Sequence, residues 1–87
     1  MDYIRFPGAV NVGLTFWMQR AKSNKTTLMT QKPDIDKLAR SVLDAMTDSF
    51  LIEDDSRVVY LTITKRWAEE DEALPGVLIH VWQDKNA

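Results

Sequence analysis

The 87-residue chain predicts an α+β domain in which one helix packs on a small, mainly antiparallel or mixed sheet, in strand-helix-strand-strand order. Apolar residues alternate in 9–19, recur every three and four positions in 34–48, and alternate again after an acidic turn. At this length one hydrophobic core is expected, so residues 1–87 are read as a single domain that buries about 60–65% of its unfolded surface.

In the first strand Val10, Val12, Leu14, Phe16 and Met18 alternate with Asn11, Gly13, Thr15 and Trp17, the pattern of a half-buried strand over 9–19. The polar stretch from Arg20 to Gln31 has no period and ends before Pro33, so it is expected to be a loop. From Asp34 onward Ile35, Leu38, Ala39, Val42, Leu43 and Met46 form one stripe, with Lys37, Arg40, Ser41, Asp44 and Asp48 off it. That spacing predicts an amphipathic helix over 34–48 with Asp34 as its N-cap, although Lys37 stands where a capping box needs Glu or Gln. Val59, Leu61 and Ile63 alternate with Val58, Tyr60, Thr62 and Thr64, giving a second strand over 57–66. Pro75-Gly76 then separates an acidic loop from a third strand, Val77 to Trp82.

With no cysteine, the chain has neither a disulfide framework nor a thiolate metal site. No apolar run is long enough to span a bilayer or resemble a signal peptide, so a cytoplasmic protein is expected. The net charge of −2 argues against a general nucleic-acid coat protein, but the charge is unevenly placed. Arg20, Lys22, Lys25, Lys32, Lys37 and Arg40 crowd the segment around two aspartates, as a solvated loop or as a rim that attracts phosphate.

Those aspartates carry the chemistry. Asp34 and Asp36 open the helix, and an acidic turn, Glu53-Asp54-Asp55, leads into the second strand. Any one of them alone reads as a cap or turn former. Together they suggest a metal site, provided the chain returns after a helix of about 20 Å. The extended stretch Ser49 to Asp54 recovers about 20 Å if it runs back along the helix, bringing the acidic pair beside Asp34 and Asp36. Oxygen-only donors favour Mg²⁺ or Mn²⁺ over zinc, and a cation would relieve the repulsion of clustered carboxylates.

The string Lys32-Pro33-Asp34-Ile35-Asp36-Lys37-Leu38, then Val42-Leu43-Asp44-Ala45, then Asp54-Asp55-Ser56-Arg57-Val58-Val59, resembles the RusA-type Holliday-junction resolvases of bacteria and phages. The resemblance covers residues 10 to 83. It implies a homodimeric, Mg²⁺-dependent endodeoxyribonuclease of recombination and repair that cuts four-way junctions by paired symmetric nicks. It further implies Asp34, Asp36 and Asp55 as metal ligands and Arg40 as a catalytic basic residue, where the family more often has lysine. Lys32 and Lys37 would seat the DNA backbone. Family members usually carry a strand and a helix ahead of this region, so the chain is expected to be short at its N-terminus. A non-catalytic dimeric DNA-binding or interaction module is the alternative, and a metal-stabilised protein without a DNA role is third.

His80 lies between Ile79 and Val81 without a Ser or Cys partner in view, and is read as structural. Trp17, Tyr60, Leu78 and Trp82 fall opposite the aliphatic face, as a packing surface before a base-stacking platform. The acid run Glu69 to Glu72 is read as a solvated hairpin tip before a second cation site. If the chain doubles back beside the helix, the first two strands are antiparallel if they are neighbours, and the third is antiparallel to the second. One helix covers one side of the sheet, so Trp17, Val58, Tyr60, Leu78 and Trp82 are expected to be covered by a second copy.

Overall fold

In the computed structural model, residues 5–20, 30 and 34–86 are described. They form β1 (Val10–Met18), α1 (Ile35–Asp48), a 3₁₀ turn at Asp55–Arg57, β2 (Val58–Trp67), a second 3₁₀ turn at Ala68–Asp71, and β3 (Gly76–Gln83). The predicted helix and three strands are all present, each within one residue of its expected ends. Much of the expected loop 20–31 lies outside the described residues.

Asp34 is the N-cap of α1 as expected, with an extended backbone (φ −65°, ψ 148°), but its carboxylate makes no capping hydrogen bond. Its carbonyl accepts from the Leu38 N–H at 3.1 Å. At the other end Leu51 N–H reaches the Met46 carbonyl at 3.0 Å and Phe50 N–H the Thr47 carbonyl at 3.1 Å. This pair of bonds is a Schellman closure, and it places Phe50 in the left-handed region at φ 64°.

The sheet order is β2-β1-β3, with β1 in the centre. β1 pairs with β2 in parallel and with β3 antiparallel. The parallel pair corrects the expected antiparallel one. After the Schellman turn the chain does not run back along the helix; Ile52 bridges Phe6 in parallel, and the Gly8 N–H donates to the Glu53 carboxylate. β2 therefore starts beside the start of β1, and α1 itself is the crossover that a parallel pair requires. β3 is antiparallel in direction to β2, as expected, but its hydrogen-bonded neighbour is β1.

A bulge inverts part of the expected alternation. Val10 pairs with Val58, yet Asn11 pairs with Tyr60, so Val59 is the extra residue on β2. Val58 turns to the helix side and packs on the core, whereas Val59 is 61% exposed. The expected roles of these two valines are thus exchanged.

The core joins Val10, Val12, Leu14 and Phe16 of β1 to Ala39 and Met46 of α1 and to Ile52, with Leu38, Val42, Leu43, Ile63 and Val81 packed around it. On this helix side Val77 and Ile79 of β3, which pair with Phe16 and Leu14, remain exposed. One helix covers the β1–β2 half and leaves the β3 half open. On the opposite side Trp82 lies beside His80 (ring centroids 4.7 Å) and Tyr60 (6.2 Å). Gly13 lies beneath them, where an added Cβ would stand 3.2 Å from Thr62 Oγ1 and 3.8 Å from the Trp82 ring.

The acid run is not a solvated tip. It winds into the 3₁₀ turn Ala68–Asp71, where Arg20 pairs with Glu69 and, at 2.7 Å, with Glu70. The Arg20 guanidinium also lies 4.6 Å above the buried Trp67 ring. Arg20 is thereby engaged inside the fold and is not part of an open phosphate rim.

Candidate functional site

Asp34 and Asp36 sit at the first turn of α1, whose N-terminus opens at the end of the parallel pair where β2 is finishing. Their carboxylates border an open hollow of about 580 Å³, shared with Thr30 and Ile35 and, from β2, with Ile63, Thr64 and Lys65. In open α/β sheets this is the side on which ligands bind, beyond the carboxyl ends of the strands and facing the helix N-terminus. Both aspartates are exposed. Lys37 and Arg40 are also exposed, and Arg40 follows Asp36 by one helical turn. Lys32, Lys22 and Lys25 lie outside the described residues.

Asp55 belongs to a different place. It opens the 3₁₀ turn that leads into β2 at Val58, opposite Val10 at the start of β1. The hollow adjoins Ile63 to Lys65 instead, and the stretch from Val58 to Ile63 covers ~17 Å at about 3.3 Å per residue. The 14 residues of α1 span a similar distance, about 20 Å. Asp34 and Asp36 are at one end of the helix and Asp55 is at the other. The sequence arithmetic assigned the return path to residues 49–54; the fold assigns it to the helix.

Within the acidic pair, Asp54 has a local task. Its Oδ2 accepts from the Ser56 N–H at 2.9 Å and caps the 3₁₀ turn. Hydrogen bonds from the Ser56 side chain and backbone hold the Asp54 carboxyl below its ordinary value, with Arg57 adding to the effect.

Among the described residues no three His, Cys, Asp or Glu side chains come together as a metal-binding group. Asp34 and Asp36 supply two carboxylates to the hollow, so a single chain does not fit the three-carboxylate metal site that the motif implies.

Lys65 is the residue at the hollow that the sequence reading missed. A signal for it existed: the helix-facing series Leu61, Ile63 continues into Lys65, a charge where an aliphatic residue is due. It is half-buried and borders the same hollow as both aspartates. His80, read as structural, is an exposed strand residue against Trp82.

The fold and the hollow define a small α+β protein with two carboxylates at the C-terminal edge of a strand-helix-strand unit. The family model for endodeoxyribonuclease RusA matches residues 2–81, nearly the whole chain, and the protein belongs to that family. No curated protein and no solved structure matches it. Among the described residues no helix is long and apolar enough to cross a membrane.

Proposed function

We propose that this protein is a junction-resolving endodeoxyribonuclease of DNA recombination and repair, acting as a homodimer on four-way junctions through Asp34, Asp36, Asp55 and Arg40. The family match over residues 2–81 carries the reading, and the two carboxylates at the hollow give it a location. Mg²⁺, with Mn²⁺ able to replace it, is the cation we propose, because the donors are oxygen only.

The side chains at the hollow suit a DNA backbone. Arg40 offers a planar fork of donors to phosphate oxygens, one turn from Asp36, and can stabilise charge that builds on a phosphoryl group. Lys37 and Lys65 add positive charge to either side, and Lys32 precedes the helix in sequence. The carboxylates alone would repel phosphate, so neutralising one of them should not weaken DNA binding. Contacts of this kind read branch shape and phosphates more than base sequence.

The test is to measure cleavage and binding separately. Asp36→Asn and Asp55→Asn should each abolish cleavage of a synthetic junction in Mg²⁺ while the junction is bound as tightly as by the parent. Cutting by Asp36→Asn at the parental rate contradicts the assignment. The separation of Asp55 from the other two favours one second reading, a non-catalytic junction-binding module; a parent that binds but never nicks would select it.

A further inference from the structure

We infer that each nuclease site is shared between two copies of the chain, with Asp34 and Asp36 supplied by one copy and Asp55 by the other. The inference rests on the endonuclease reading and resolves its main geometric difficulty. Within one chain the helix separates the two groups by about 20 Å, far beyond what ligands of one ion at about 2.1 Å can share. No other carboxylate or histidine among the described residues completes the pair at the hollow.

A two-fold axis perpendicular to α1 supplies what is missing. It lays the two copies head to tail, so the Asp55 end of one comes to the Asp34 and Asp36 end of the other, and it does so twice. The fold offers a place for that axis. β2 is an edge strand of ten residues, and the hollow with Asp34 and Asp36 adjoins its second half while Asp55 precedes its first. Antiparallel pairing of β2 with β2 from a second copy would satisfy the edge and place Asp55 from that copy beside Lys65. The β3 edge does not serve, because it lies across β1 from both carboxylate groups.

The decisive experiment is complementation between two inactive variants. Asp36→Asn and Asp55→Asn are co-expressed with different affinity tags, and the doubly tagged dimer is isolated after circular dichroism has shown each variant to be folded. If the sites are shared, that mixed dimer has one site carrying both substitutions and one site carrying neither. It should nick junctions at about half the parental rate per dimer. Calorimetric titration with Mn²⁺ should find one ion per mixed dimer, two per parental dimer, and none in either variant alone. A mixed dimer that neither nicks nor binds Mn²⁺ overturns the shared site while leaving the nuclease reading intact. Failure to form any doubly tagged species overturns it too. If the single variants cut at the parental rate, the nuclease assignment of these aspartates fails and the shared site falls with it.

Discussion

The indole Nε1 of Trp17 donates to Asp71 Oδ2 at 2.7 Å, tying the end of β1 to the 3₁₀ turn that follows β2. Arg66 grips the same carboxylate through Nε and, at 2.7 Å, through Nη2. The two donors hold the Asp71 carboxyl down at about 2, Arg66 being the larger cause, and the Arg66 guanidinium is raised in return. A carboxyl depressed in the folded state contributes stability above its unfolded value of 3.8 and loses it as pH falls through the folded value. Thermal melting should therefore worsen between pH 3.8 and about 2, and Asp71→Asn should flatten that part of the pH profile. An unchanged profile in the variant would show that the pair is not formed in solution.

Phe50 occupies a position that favours glycine. It is the residue just past the cap of α1, at φ 64°, and it is 67% exposed, so its ring returns little burial for the strain. Phe50→Gly should raise stability by about 0.5–1 kcal/mol, since the left-handed conformation costs a side chain roughly 1–2 kcal/mol and glycine gives back part of that in entropy. Urea denaturation at fixed m would read the shift in midpoint. Destabilisation by Phe50→Gly would mean that the exposed ring has a partner that outweighs the strain.

Central burial should dominate the core energetics. Leu14 is 2% exposed at the middle of β1, between Ile63 and Ile79, whereas Leu74 is 86% exposed before β3. Leu14→Ala should cost about 2–5 kcal/mol and Leu74→Ala no more than about 0.5 kcal/mol. Equal denaturation midpoints for the two variants would contradict the placement of β1 as the central strand.

Most of the fold was legible from period alone. Helix and strand stripes gave all four elements, because an amphipathic face is a local property of the chain. Pairing was not legible. Whether β2 runs with or against β1 depends on which segment makes the return, and residues 49–54 had enough length for either route; the Schellman turn at Phe50 and the Ile52–Phe6 bridge decide it. The exchange of Val58 and Val59 was equally hidden, since both are valines and a bulge has no signature between them. At the site, Asp34 and Asp36 were legible because they sit on one turn. Their distance from Asp55 was not, because it is set by the strand direction. Lys65 was visible in the alternation and passed over.

The central claim is that this chain cuts branched DNA with its aspartates. The most direct measurement is cleavage of a synthetic four-way junction in Mg²⁺, beside a linear duplex of the same sequence and an Asp36→Asn control. The account predicts symmetric nicks in the junction, little cutting of the duplex, and no cutting of either by Asp36→Asn. An intact junction in the parent reaction, or equal cutting by parent and Asp36→Asn, would contradict it.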